Sequence, residues 1–189
     1  DESFADNVVS TTAEVSQSGL IASVGENYMS VSLSGIYPEY ADIEDLKIIQ
    51  GRFINKIDMD EKRKVVVMSE DNAKNFFKDN ASPINRNIKI GSTHYKVVGI
   101  YESNSMFTDN NMYSPYTTVQ TIYAKGRTIN SLTLKTRGLK TEEDSEKFEE
   151  EFRHGMSSIH NFSPDDKSAV WIWNSASQSA QLNMASSIL

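Results

Sequence analysis

The chain has 189 residues, enough for a hydrophobic core, and its 38% hydrophobic and 24% charged residues suit a globular chain rather than a disordered one. A formal net charge of -7, from 19 Lys and Arg against 26 Asp and Glu, speaks against nucleic-acid backbones and anionic lipid as primary partners, since both demand a clustered basic surface. With no cysteine, disulfides, thiolate catalysis and Cys-based zinc sites are excluded as well.

Residues 1–18 are rich in Ser, Thr and Asn, with Val8, Val9 and Val15 as the apolar anchors, and read as a short strand or a frayed start. Tyr28 to Ser34 alternates Met29, Val31 and Leu33 with Ser30, Ser32 and Ser34, which predicts a half-buried strand. Pro38 opens a turn that feeds a short helix or loop through Asp45. Leu46 to Gln50 reads as a strand ended by Gly51. Arg63 to Ser69 has a continuous apolar centre and so predicts a strand covered on both faces.

Ser69 is placed to cap a helix running to about Lys78, with Ala73, Phe76 and Phe77 as its buried stripe. Ile88 to Ile90, the turn Gly91-Ser92 and Thr93 to Tyr101 read as a hairpin, followed by a polar loop over 102–111 whose apolar pair Met106 and Phe107 serves either as a contact point or as a tuck into the hairpin beneath. Tyr116 to Tyr123 reads as a helix, and Ser131 to Thr136 as a strand with Leu132 and Leu134 inward. Thr141 to Asp144 fits a capping box that starts a helix to about Met156, with Phe148 and Phe152 one turn apart. Ala169 to Asn174 reads as a strand apolar on both faces, with Trp171 and Trp173 in the core, and 175–189 as a helical tail.

Catalytic patterns are missing from this sequence. There is no G-x-S-x-G, no H-E-x-x-H and no phosphate loop among its 9 glycines. His94, His154 and His160 follow no metal spacing, and a structural role is the simpler reading of each. Asp58, Asp60 and Glu61 begin like a calcium loop, but Arg63 stands where its glycine belongs and Ser69 where its bidentate glutamate belongs. Asp58 is instead expected to fix a turn by accepting a nearby backbone N–H. The acids from Glu142 to Glu151 read as a solvated helix face. No catalytic, cofactor-binding or metal-binding residue is assigned, and no cofactor is expected.

The segment from Leu46 to Tyr101 combines Gly51-Arg52-Phe53, Asp58, Val65 to Met68, Ser82-Pro83-Ile84, Ile88 to Gly91 and Tyr95 to Ile100, and Met112 to Thr118 follows with Pro115-Tyr116-Thr117-Thr118 entering a helix. This pattern resembles the extracytoplasmic core domain of MacB-like ABC transporter permeases of the MacB/FtsX type, which typically have a Pro-Thr-Thr segment at that helix entry. Relatives commonly carry Gly where Asn85 stands, which implies a turn at positive φ that asparagine tolerates best among non-glycine residues. The resemblance implies an α+β fold of two lobes. Residues 1–34 and 115–189 would build a membrane-proximal βα, porter-like lobe, and 35–114 an inserted strand-rich lobe. It further implies no enzyme, but a part that transmits ATP-driven movement to export or extract a substrate or to act on a periplasmic partner.

The partners implied are a cytoplasmic ABC ATPase reached through membrane helices outside this chain, an adaptor or accessory protein in the periplasm, and a second copy in the full-length transporter. Two other readings stand beside it. One is a stand-alone ligand-binding or adhesion module of the cell surface. The other is a hydrolase with a dispersed site, which would need a deep pocket pairing His94, His154 or His160 with a carboxylate.

Overall fold

The structure, a computed structural model, describes residues 6–78, 81–103 and 110–174. Met106, Phe107 and the tail helix expected over 175–189 lie outside the described residues. The fold is mixed α/β, and the chain divides into two compact units, Thr11–Leu134 and Asp1–Ser10 with Lys135–Leu189.

The larger unit is built on strands whose pairing returns to its starting point. Strand β1 (Val8–Val24) makes an antiparallel hairpin with β2 (Asn27–Ile36) across Gly25, whose φ of +58° suits the tight turn. β2 then runs parallel to β7 (Asn111–Pro115), β7 antiparallel to β4 (Val65–Ser69), and β4 parallel to β6 (Thr93–Tyr101). β6 pairs antiparallel with β5 (Asn87–Ile90), and β5 comes back to β1 through Ala22↔Ile90 and Ser23↔Lys89. The circuit is therefore closed. Strand β3 (Ile48–Gly51) adds to the Gly99–Tyr101 end of β6, and β8 (Ser131–Thr136) lies beside β1 in the strand order.

Side chains fill the circuit as its alternation dictates. Val31 and Leu33 of β2 are buried while Tyr28 and Ser30 face out, so the period-two reading of this strand is correct. β4 is buried at every position, as its continuous apolar run requires. Ser114 of β7 donates its hydroxyl to the Val65 carbonyl at 2.8 Å, and β7 leads directly into helix α4 (Tyr116–Ile122). α4 packs close to β2. A Cβ on Gly35 would come within 2.7 Å of the Val119 Cβ.

Helix α3 (Glu70–Phe76) follows β4 directly, with Ser69 as its N-cap accepting the Asn72 N–H at 3.2 Å and Ala73 and Phe76 buried. Two short helices, α1 (Tyr40–Ile43) and α2 (Lys56–Asp60), flank β3 in sequence.

β1 corrects the expectation of a frayed start. It is a 17-residue strand, mixed polar and apolar along its length and held by specific bonds. Within the larger unit the Glu14 carboxylate accepts from the Ser34 hydroxyl at 2.6 Å and the Ser131 hydroxyl at 3.0 Å. β2 runs unbroken through residues 34 and 35.

The smaller unit holds the start of β1, the end of β8 and helix α5 (Glu142–His160). Asn7 and Arg137 exchange two hydrogen bonds, the Arg137 N–H donating to the Asn7 carbonyl at 2.8 Å and the Asn7 amide to the Arg137 carbonyl at 3.0 Å. α5 begins with the expected Thr141/Asp144 capping box and ends at Asn161 with φ of +60°. Hydrogen bonds from the Thr141 side chain and the neighbouring N–H groups hold the Asp144 carboxyl below its usual range.

Two expectations fail here. Ala169 to Asn174 is turn and extended coil, and Trp171 and Trp173 are 79% and 61% exposed, their rings 6.1 Å apart. The segment has no strand partner among the described residues and is tied to α5 by polar contacts instead, Arg153 to the Val170 carbonyl at 2.6 Å and Asn174 to Glu149 at 2.9 Å. Leu132 of β8 is likewise 38% exposed rather than inward, because β8 closes the strand order as an edge.

The tightest backbone crossing lies where β3 meets β6. The register of β4 on β6 slips between Val66 and Val67, leaving Val98 as the extra residue of a bulge. The Val98 carbonyl accepts the Arg52 N–H at 2.9 Å, and a Cβ on Gly99 would stand 2.1 Å from the Arg52 carbonyl oxygen. Gly99→Ala is therefore expected to destabilise the fold by on the order of 3 kcal/mol through forced backbone movement. Gly155→Ala, on α5 where an added Cβ meets nothing within 4 Å, should stabilise by about 0.5–1 kcal/mol. Urea unfolding followed by circular dichroism measures both.

A pH dependence follows from the buried phenols. Burial first, then the neighbouring hydroxyls of Tyr123 and Tyr113, pushes the Tyr95 and Tyr40 hydroxyls well above the ordinary tyrosine range. The fold thus favours the neutral phenol. Its contribution is complete below the unfolded value of about 10 and is lost as pH rises through the raised folded value. The urea midpoint should fall above pH ~10, and less steeply in Tyr95→Phe. Equal slopes would remove Tyr95 as a cause.

Candidate functional site

The residues that the sequence singled out around Gly51-Arg52-Phe53 and Asp58 come together at one corner of the larger unit. β3 ends at Gly51 with φ of +71°, which turns the chain so that Arg52 follows at once. Asn55 then caps α2. Its side chain accepts the Asp58 N–H at 3.0 Å, while the Asp58 carboxylate accepts the Asn55 N–H at 3.1 Å. This is the turn-fixing backbone contact expected of Asp58.

The carboxylate does more than that. Asp58 is fully buried, and the Arg52 guanidinium donates to both of its oxygens, at 2.5 Å and 3.0 Å. Arg63 approaches one of those oxygens at 3.8 Å and donates its backbone N–H to the Asp58 carbonyl at 2.9 Å. Arg52 also donates to the Phe53 carbonyl at 2.9 Å. The α2 turn is in turn fastened to α4. The Thr117 hydroxyl donates to the Met59 carbonyl at 2.6 Å and the Thr118 hydroxyl to the Arg63 carbonyl at 2.9 Å. The Thr117-Thr118 pair at the start of α4 thus serves as a clamp on the corner, a role not legible from its sequence.

Beside this corner opens a cleft of about 580 Å³. Val65, Ile84 and Val98 give it an apolar floor, and Arg52, Arg63, Lys64 and Lys96 give it cationic walls. Asn85 lies on its rim with φ of +67°, the conformation expected at that turn, and donates its N–H to the Val97 carbonyl at 2.8 Å. Sequence reasoning missed this cleft because its members come from four separated segments. Only the alternation of Lys96 and Val98 along one strand hinted at a shared face.

The remaining candidates do not converge. Asp60 pairs with Lys56 at 3.0 Å and Glu61 with Arg63 at 2.8 Å, so each acid near Asp58 has its own cation. His94 is exposed on β6, and His154 and His160 are exposed on α5. None of the three lines the cleft. Among the described residues no group of three or more His, Asp or Glu side chains is placed to hold a metal. Also among them, no helix is long and apolar enough to cross a membrane.

Removing the buried carboxylate tests the corner. Asp58→Ala leaves Arg52 without its partner and the Asn55 N–H without its acceptor. The expected cost is about 3–5 kcal/mol, read as a shift of the urea midpoint. A loss under about 1 kcal/mol would mean that the ion pair is only a surface contact.

Residues 2–154 match the family model described as the MacB-like periplasmic core domain. The macrolide export ATP-binding/permease protein MacB of Aggregatibacter actinomycetemcomitans is 33% identical over 132 residues, covering 68% of this chain and 20% of that protein. The protein of the same name from Mannheimia succiniciproducens is 29% identical over 137 residues, covering 71% of this chain and 21% of that protein. The chain thus spans about a fifth of the length of these curated relatives. Among solved structures, the periplasmic region of MacB from Actinobacillus actinomycetemcomitans superposes with a TM-score of 0.73 at 28% identity, covering 95% of this chain and 77% of that one. The extracellular domain of the Gram-positive transporter YknZ has the same fold, with a TM-score of 0.70 at 19% identity, covering 84% of this chain and 80% of that one. The chain belongs to the MacB-like periplasmic core domain family, the periplasmic portion of ABC transporter permeases of the MacB type.

Proposed function

We propose that this chain is a force-bearing relay: it passes ATP-driven movement from membrane helices outside it to a substrate or partner outside the cytoplasmic membrane. One observation carries this reading. The start of β1 and the end of β8 are bonded to each other through Asn7 and Arg137 within one compact unit, so movement arriving along either end of the chain enters the same body. The closed strand circuit of the other unit suits a part that must move without deforming.

In this reading the membrane-proximal, porter-like lobe is the unit that joins Asp1–Ser10 to Lys135–Leu189, narrower than 1–34 with 115–189, and the strand circuit is the inserted lobe. ATP hydrolysis belongs to a separate ATPase region, and the working transporter contains two copies of this domain and an adaptor or accessory protein in the periplasm. Macrolides are the first cargo to test, because the relatives are macrolide export proteins by name.

The test uses the full-length permease with its ATPase. A flexible Gly-Ser linker inserted after Leu189 should leave ATP hydrolysis intact and abolish macrolide efflux. Efflux per ATP equal to that of the uninterrupted protein would overturn the relay.

A further inference from the structure

The cleft beside the Asp58 corner has a chemistry that force transmission does not call for. We propose that it binds a small amphipathic anion: an apolar body bearing a single carboxylate or phosphate group. Its volume, about 580 Å³, is within the range of small-molecule sites. The floor of Val65, Ile84 and Val98 suits an apolar body, and the cationic walls suit an anionic head.

The charges in those walls are not all neutralised. Asp58 and Glu61 pair with Arg52 and Arg63, whereas no ion pair involves Lys64 or Lys96 among the described residues. This local excess of positive charge stands against a whole-chain charge of -7. Lys64 immediately precedes β4 and Lys96 lies on β6, with Lys96 donating its N–H to the Lys64 carbonyl at 2.9 Å and pairing in register with Val65, so both line the same cleft.

Arg52 is held in place by Asp58 and the Phe53 carbonyl. Arg52 and Arg63 spend their best donors on protein acceptors. Lys64 and Lys96 are therefore the groups that meet the anion, as mobile point charges suited to carboxylate or phosphate oxygens.

Octyl phosphate, titrated below its micelle concentration into the isotope-labelled chain, provides the probe. Amide shifts should centre on Gly51, Lys64, Asn85 and Val98, saturate, and weaken at least tenfold in Lys64→Gln/Lys96→Gln, a surface substitution that leaves the core untouched. Octyl glucoside, with the same tail and no charge, should bind at least tenfold more weakly than octyl phosphate. A second arm separates the two sources of such an anion. Sedimentation with phosphatidylglycerol vesicles, lost in the double variant, assigns a membrane headgroup; octyl phosphate binding without sedimentation assigns a free ligand. Equal response to octyl glucoside, unchanged affinity in the double variant, or shifts confined to Trp171 and Trp173 would each overturn the site. The proposal does not rest on the relay, since a binding site and a moving body fail in different assays.

Discussion

The corner around Asp58 is where the fold is decided. A carboxylate with no exposure would be strongly unfavourable by itself, because burial removes its water. Here its oxygens receive the Arg52 fork, the Asn55 N–H and the distant Arg63 nitrogen, and both arginines stay partly exposed. The cations therefore keep much of their hydration while the anion is satisfied by donors. Arginine rather than lysine suits the 52 position, since only a planar fork reaches both oxygens at once. One side chain thereby fixes the exit of β3, the start of α2 and the entry to β4.

That corner is coupled to the strand circuit by contacts that leave little room. Arg52 crosses β6 at the Val98 bulge, and the crossing needs glycine on both strands, at Gly51 and at Gly99. Thr117 and Thr118 carry the linkage onward to α4, and α4 lies so close on β2 that residue 35 must also be glycine. Hydrogen bonds and close approaches therefore run without a gap from β3 through α4 to β2. β2 and β6 both belong to the circuit, so the corner is attached to it through two of its strands.

Much of this was legible from local pattern, and what was not had non-local causes. The alternation over Tyr28 to Ser34, the apolar run Val65 to Met68, the Ser69 cap and the Thr141/Asp144 box each depend on neighbours in sequence, and each was read correctly. β1 was misread because its stability comes from partners that sequence proximity does not reveal, among them Glu14 bonded to Ser34 and Ser131. Ala169 to Asn174 failed for the opposite reason. Its apolar residues alternate well, but a strand needs a neighbour, and Trp171 and Trp173 stay at the surface. Asp58 was half legible: its capping role follows from spacing, whereas its fork with Arg52 depends on a backbone turn at Gly51 that brings residues six apart face to face.

The same turn explains why a basic cleft exists on an acidic chain. Burying Asp58 draws Arg52 and Arg63 to one place, since an unpaired buried carboxylate is not tolerated. The parallel pairing of β4 with β6 then sets Lys64 and Lys96 beside them, with their charges unanswered among the described residues. An acidic side chain near those lysines would neutralise them at little structural cost, because both are exposed. Yet Asp60 and Glu61 face Lys56 and Arg63 instead. The positive character of the cleft is therefore not forced by the fold, which needs only the arginines.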